Sequence, residues 1–268
     1  TPFEADVTAL LADKNDLTVV RSMELQYANN FAVDYCANGC KIITDGAGQK
    51  FLWVPEGGEA PDDTGDMTVL QAPLTKLGCF STTHATLFHA IGALDKVSLV
   101  TTDKDKWHIE QVAQQIEDGT TTYVGKNSAP DYELISAAAL ASIDNPSRQE
   151  AAVSTYIKTQ LDELSIPYIA DSQHLENHPL GRVEWVKLVG ALLDMEEEAD
   201  AYFDEEVQRV NAVAESVAGE SEHPTILQTY IFKGTVYVAA TMSTRCWSWP
   251  AAHIPLRSWS PARAATPR

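Results

Sequence analysis

An α/β fold on a mostly parallel sheet is what this 268-residue sequence predicts, and three observations predict it. Short apolar runs alternate with segments of helical period from Leu77 to Leu193. The helical stretches are long enough to serve as crossovers, which parallel pairing requires. A narrow apolar stripe of Phe203, Val207, Val210, Ala214 and Val217 then marks one extended helix.

The elements follow in order. Thr1 to Leu17 carries few signals and is expected to include a flexible end. From Gln26 the pattern alternates: Tyr27, Phe31, Val33 and Tyr35 lead to a turn at Asn38-Gly39, and Ile42 and Ile43 return. Asp45-Gly46 is a second turn before a strand over Phe51–Val54, so two tandem hairpins are expected as an antiparallel edge of the sheet. Residues 56–66 are a Gly, Pro and acid-rich loop, and Met67–Leu70 starts the parallel part.

Leu77–Phe80 is a short buried strand, and Ser81–Thr83 places hydroxyls where a helix begins. Leu87, Phe88, Ile91 and Leu94 give that helix its apolar face; Gly92 marks its exit, and Val97–Val100 is the next strand. After the loop 103–107 come a helix through Ile109, Val112, Ala113 and Ile116 and a strand over Thr121–Val124. The loop 125–130 leads to a helix over Asp131–Ala139, a weak strand over Ala141–Ile143 and the loop 144–148. A helix over 150–164, a strand over 166–170, the loop 171–181 and a helix over 183–193 complete the alternation. The long helix opens with Glu196-Glu197-Glu198 at its favourable end. About 22 residues of it make a rod of roughly 33 Å. A hairpin over 225–239 follows, turning at Lys233-Gly234.

Composition narrows the function. A net charge of −19 argues against a nucleic-acid surface, and no apolar run reaches the roughly 20 residues of a membrane-spanning helix. The first residue is Thr1 rather than Met, so removal of a leader is expected. Cys36 and Cys40 flank Ala37-Asn38-Gly39, a tight-turn sequence across which two thiols could face each other. A disulfide there would imply an oxidising compartment, and unbonded thiols are the other reading.

The stretch Pro73–Thr102 also resembles a family signature. In the iron-siderophore, haem and vitamin B12 class of bacterial ABC-transporter substrate-binding proteins, a Pro and a short strand precede a hydroxyl-rich loop, a helix and a strand. Further blocks match in order. Gly125…Pro130-Asp131-Tyr132-Glu133 resembles the family's loop and helix, and Leu161–Pro167 its helix and strand, with Ser165 in place of the usual Gly. His178-Pro179-Leu180-Gly181-Arg182 with Glu184-Trp185 is similar to a Gram-positive subgroup, and together the blocks cover roughly residues 67–217.

The resemblance implies a Rossmann-like N-terminal lobe over 1–195, a stiff interlobe helix over 196–218 and a C-terminal lobe starting at 219. Such a lobe needs on the order of a hundred residues, so residues 219–268 make it incomplete. It further implies capture of a ferric-siderophore-like, haem or corrinoid ligand for a membrane permease, with Glu133 meeting an Arg of that permease. The protein would be extracellular or periplasmic and lipid-anchored through its leader, with no cofactor of its own and no catalytic activity.

The end of the chain departs from this pattern. All 38 acidic residues lie at or before Glu222, while Arg245, Arg257, Arg263 and Arg268 sit among Trp, Pro and Ser without period. One permitted back-translation of Thr241–Pro255, read one base out of register, encodes an acidic amphipathic segment ending in Gly-Gly. A frameshifted tail over 240–268 is therefore expected. The rival is a non-transport α/β interaction domain with a basic, disordered tail.

Parallel open sheets hold ligands at the carboxyl ends of their strands. The candidate ligand residues are accordingly Ser81, Thr82, Thr83, His84, Trp107, Lys126, Asn127, Ser128, Asn145, Arg148, His174 and His178. Hydroxyls, cations and helix-start N–H groups suit an anionic, oxygen-rich ligand, although each residue taken singly also reads as a solvated loop residue. Trp107 and Tyr132 suit stacking on a flat ligand or packing. His84, His89, His174, Glu176 and His178 would bind a metal directly only if three converged, and a metal already wrapped in a chelate is the expected cargo. Ser81 with His84 lacks a third, orienting group, and neither Gly-x-Ser-x-Gly nor Gly-x-Gly-x-x-Gly occurs, so no enzyme is expected.

Overall fold

The computed structural model describes residues 13–126, 129–135, 152–153, 161, 163, 166–219, 229–232 and 235–238. The chain divides into two units, Thr1–Glu206 and Val207–Arg268, with the division inside the long helix. The tail 240–268, the strand expected at 141–143 and the loop 144–148 lie outside the described residues.

The first unit contains two five-stranded sheets. The first runs β1 (Val19–Ser22), β2 (Ala32–Cys36), β3 (Lys41–Thr44), β4 (Lys50–Val54) and β5 (Thr68–Gln71), in sequence order. Its neighbours are antiparallel except β4 and β5, which are parallel. The tandem hairpins expected as an edge of the parallel sheet thus form a sheet of their own, and the segment near Met67–Leu70 closes that sheet instead of opening the next. Alternating polarity shows that a strand has two faces but not which sheet it joins. The strand β1 escapes sequence reading because every residue in it is exposed.

One face of this sheet holds Cys36, Cys40, Leu52 and Val54, with Leu17, Ile42, Ala60, Met67 and Val69 against them. Cys36 and Cys40 are unbonded thiols.

The second sheet is wholly parallel. Its strands are β6 (Leu77–Cys79), β7 (Val97–Val100), β8 (Thr122–Tyr123), β11 (Ala152–Val153) and β12 (Tyr168–Ile169), in the order β12-β11-β6-β7-β8. Between β8 and β11 a small antiparallel pair is formed by β9 (Gly125–Lys126) and β10 (Ala129–Pro130). The helix α1 (Thr82–Ala90) connects β6 to β7, and α2 (Glu110–Asp118), ended by Gly119 at φ 81°, connects β7 to β8. Phe80, Leu99, Val124, Ile135, Leu161, Ile166 and Tyr168 form the core on one face, with Tyr132 packed against it.

Two helix boundaries differ from expectation. The strand β11 falls inside the helix expected over 150–164, of which Leu161 and Glu163 are helical. Pairing on both sides, with β6 and β12, supplies backbone partners that local propensity does not register. The helix expected over 183–193 is two helices, α3 (Pro179–Glu184) and α4 (Val186–Leu193). The first starts early because Pro179 is pre-set for a first helical turn and His178 caps it. In α4 the first seven residues are buried, as a helix packed against both β2 and α1 must be.

The long helix α5 spans Glu196–Val217, 22 residues, as the apolar stripe predicts. Two nearly buried lysines hold its first turns. Lys41 Nζ donates to Ala191 O at 3.0 Å, Asp194 Oδ1 at 2.9 Å and Glu196 Oε1 at 2.6 Å. Lys187 Nζ lies 3.1 Å from Asp200 Oδ1 and 4.7 Å from the Phe203 ring centroid. In the second unit β13 (Thr229–Phe232) and β14 (Thr235–Val238) form the expected antiparallel hairpin.

Candidate functional site

Among the described residues, Ser81–His84, Trp107, Lys126 and His174 follow the carboxyl ends of β6, β7, β8 and β12. At the end of β6, Ser81 has extended backbone (φ −147°, ψ 148°), and its Oγ accepts from Thr83 N at 3.4 Å and pairs with Thr83 Oγ1 at 2.8 Å. This is the N-cap that the hydroxyl cluster predicts. Thr82 and Thr83 are exposed at the start of α1.

His84 packs into the interior. It is 3 % exposed, and its Nε2 lies 3.2 Å from Oδ2 of Asp171, itself buried. Asp171 Oδ1 also accepts from Gln173 N at 2.8 Å, and Oδ2 from Gln173 Nε2 at 2.6 Å. The pair therefore joins the first turn of α1 to the loop after β12, with His84 turned into the interior. Asp171 meets His84 alone of the two, while Ser81 pairs with Thr83. Beside it, burial first and the Asp171 charge second push the Cys79 thiol pKa up.

The neighbouring loops are held by hydrogen bonds between side chains and backbone. After β7, Thr101 Oγ1 donates to Phe80 O at 2.9 Å, and Trp107 Nε1 to Thr102 O at 2.9 Å. Trp107 is half-buried beside the short 3-10 turn Lys104–Lys106. After β8, Lys126 is exposed in β9, where Gly125 takes φ 88°. A Cβ on Gly125 would lie 3.1 Å from Ala129 O. Asp131 Oδ1 accepts from Glu133 N at 3.0 Å and Leu134 N at 3.1 Å, capping a helical turn on which both Glu133 and Leu134 are exposed. After β12, the 3-10 turn Gln173–Leu175 carries His174 and Leu175 into solvent.

His178 and Glu176 each make contacts within the fold. His178 Nδ1 accepts from Leu180 N at 3.1 Å, and its ring stacks on Tyr27 at 4.5 Å. Burial lowers its pKa below the ordinary histidine value. Glu176, buried, accepts from Asn29 N and Asn30 N at 3.1 Å and from Trp185 Nε1 at 3.0 Å. Among the described residues no three His, Cys, Asp or Glu side chains converge as a metal would need.

Asn127, Ser128, Asn145 and Arg148 lie outside the described residues.

Sequence reading missed Asp45 and Asp171. The buried Asp45 accepts Ala170 N through Oδ2 at 2.9 Å, and Ala47 N and Gln49 N through Oδ1 at 2.9 and 2.8 Å. Gly46 N donates to Ala170 O at 2.9 Å, and a Cβ on Gly46 would come within 2.8 Å of that oxygen. The tip of the β3–β4 hairpin thus fixes the loop that bears Asp171. The signal available was Asp45-Gly46, legible as a turn and not as a contact.

No family model matches the chain. An uncharacterized lipoprotein of Methanocaldococcus jannaschii is 31% identical over 180 residues, which are 61% of this chain and 41% of that protein. The chain thus spans about two-fifths of that relative's length. A crystal structure of an ABC transporter substrate-binding protein from Listeria monocytogenes aligns with a TM-score of 0.51 at 14% identity, covering 69% of this chain and 67% of that one. The siderophore-binding protein BauB, bound to a complex between two molecules of acinetobactin and ferric iron, aligns with a TM-score of 0.51 at 16% identity, covering 70% and 63%. With its all-parallel sheet and its loops gathered at one end, the chain has the fold of ABC-transporter substrate-binding proteins.

Proposed function

We propose that this chain is the extracellular solute-binding component of an ABC importer, and that its ligand is a metal already wrapped by an organic chelator. A ferric-siderophore-like complex, haem and a corrinoid are the three forms of that ligand. The observation that carries the reading is the ligand end of the parallel sheet. There the start of α1, with Thr82 and Thr83 exposed, is tied by the buried His84–Asp171 pair to the loop that exposes His174. Exposed hydroxyls and helix-start N–H groups suit the oxygen-rich rim of a chelate, and Lys126, exposed on the neighbouring loop, adds a cation. The shared fold with a siderophore-binding protein supports this class of cargo.

Delivery to a membrane permease follows from the same reading, with Glu133 as the contact on an exposed helical turn. The lipoprotein relative supports attachment to the outer face of a membrane through a leader. A ligand held against a single face stays half solvated. Affinity is therefore expected to rise when the chain is extended to the length of its relative by a second lobe.

The test is calorimetric titration of this chain and of such a longer form with a ferric hydroxamate, a ferric catecholate, haem and cyanocobalamin, alongside the metal-free chelators. Saturable one-to-one binding of one class by the longer form, weakened about tenfold or more by combined T82A and T83A substitution, is expected. Failure of the longer form to bind any of the panel overturns the reading. So does equal binding of metal-free and ferric chelators.

A further inference from the structure

We infer that Cys36 and Cys40 are the two halves of a disulfide that closes the β2–β3 hairpin in the oxidised protein. The inference is independent of the ligand and rests on the hairpin itself. The ladder pairs Tyr35 with Lys41, and Cys36 N donates to Cys40 O at 2.9 Å, so the two cysteines are the next opposed pair. Residues directly opposite in an antiparallel ladder have Cα atoms about 4.5–5.5 Å apart, inside the range a disulfide spans.

The turn between them is fixed independently of the sulfurs. Gly39 N donates to Cys36 O at 3.0 Å, with Gly39 at φ 81°. Asn38 Oδ1 accepts from Cys40 N at 3.1 Å, while its Nδ2 donates to Lys14 O at 2.7 Å. Both cysteine side chains enter the same apolar cluster with Leu52 and Val54, so they leave the ladder on one face. Cys79 belongs to the other sheet.

The chemistry balances simply. Two S–H bonds and the S–S bond of a small disulfide such as oxidised glutathione break, one protein S–S bond forms, and the two electrons and two protons end on the small disulfide's sulfurs as two thiols. In the folded protein the cysteines are 4% and 2% exposed. Burial raises both thiol pKa values, that of Cys40 to about 11 with Cys36 contributing. Few thiolates are available to attack, so closure belongs to the chain while it folds. Once closed, the bond pins the strand whose first residue is Lys41, the cation that holds Asp194 and Glu196.

The test is to refold the full chain from reduced, denatured protein at about pH 8 in a mixture of reduced and oxidised glutathione. Remaining thiols are then alkylated with iodoacetamide in denaturant, and the protein is digested with trypsin. Cleavage after Arg21 and after Lys41 leaves both cysteines in one peptide, Ser22–Lys41. That peptide is expected unlabelled and two hydrogens lighter than its reduced form, with Cys79 and Cys246 labelled. The oxidised protein should also melt a few degrees above the reduced one. A doubly labelled Ser22–Lys41 peptide from refolded protein overturns the inference. Glutathione adducts on it, or bridges from it to Cys79 or Cys246, do so equally. The C36A/C40A variant, if it folds, should melt at the same temperature with and without reductant, and because the peptide map needs only the natural chain, its failure to fold leaves the test intact.

Discussion

The two sheets of the first unit both bury charged side chains, and they use them differently. Around the antiparallel sheet, buried charges join elements far apart in the chain. Glu184, fully buried, accepts from Gln26 N at 2.8 Å and from Tyr27 N and Ala28 N at 2.7 Å, and Glu176 takes the next two N–H groups. Five consecutive backbone donors of the β1–β2 connection are thus satisfied by two carboxylates from the α3 region. At the carboxyl end of the parallel sheet, the buried His84–Asp171 pair joins two loops that expose Thr82, Thr83, His174 and Leu175. In the first case charge replaces missing secondary structure; in the second it ties together two loops with exposed side chains. The difference is measurable, because losing the first should unfold more of the molecule than losing the second.

The largest effect is expected for Glu184→Ala. It leaves three backbone donors without their acceptor and Lys187, 3.7 Å away, without one of its carboxylates. A loss of about 3–5 kcal/mol is expected, the scale for breaking a buried, hydrogen-bonded charge arrangement. Urea denaturation followed by Trp fluorescence gives the number. A loss under about 1 kcal/mol, the worth of an ordinary hydrogen bond, would mean the segment is held by packing and would break the comparison.

Asp171→Asn should cost less and act locally. About 1–3 kcal/mol is expected for weakening a charged acceptor of three donors. Amide hydrogen exchange in the first turn of α1 should accelerate about tenfold or more, while β2–β4 exchange stays near its original rate. Uniform acceleration across both sheets would show that the His84–Asp171 pair supports the whole unit and not just the ligand end.

How much of this was legible in the sequence follows from the range of each interaction. The α1 start was readable because Ser81 caps Thr83 two residues away, and α5 because its stripe repeats along one helix. The strand β6 was readable for its short apolar run. Asp45 and Asp171 were not. Asp45 reaches Ala170 across 125 residues, and no period or local motif encodes such a contact. Glu184 was readable only as part of a resemblance, and nothing local said that its partners are backbone N–H groups at Gln26–Ala28. The contact of His84 was hidden for a related reason. Position in a hydroxyl-rich loop suggests ligand contact, whereas one helical turn is enough to point a side chain inward, where Asp171 waits.

Ser81→Ala sharpens the comparison at smaller scale. The N-cap hydroxyl is replaceable in part by water, so about 1 kcal/mol is expected in urea denaturation. The effect should fall on the ligand end alone, as hydrogen exchange at Thr83 would show. An effect as large as that of Asp171→Asn would place the main support of α1 at its cap and not at the buried pair.

The smallest expected effect concerns pH. Burial holds the His178 pKa below the ordinary value of about 6.5. The unfolded chain therefore takes up this proton at a higher pH than the folded one does. Between the two values the unfolded state binds more protons, so stability rises with pH. The contribution is complete above the unfolded value and is lost as pH falls through the folded one. His178→Asn keeps an acceptor for Leu180 N but cannot titrate. It forfeits the stack on Tyr27 at every pH, which offsets the curve without tilting it. Urea midpoints at about pH 7.5 and pH 5 should thus fall more for the natural protein than for the variant. Equal falls would mean that His178 accepts its proton within the fold, and that the cap of α3 is tolerant of charge where the carboxylates beside it are not.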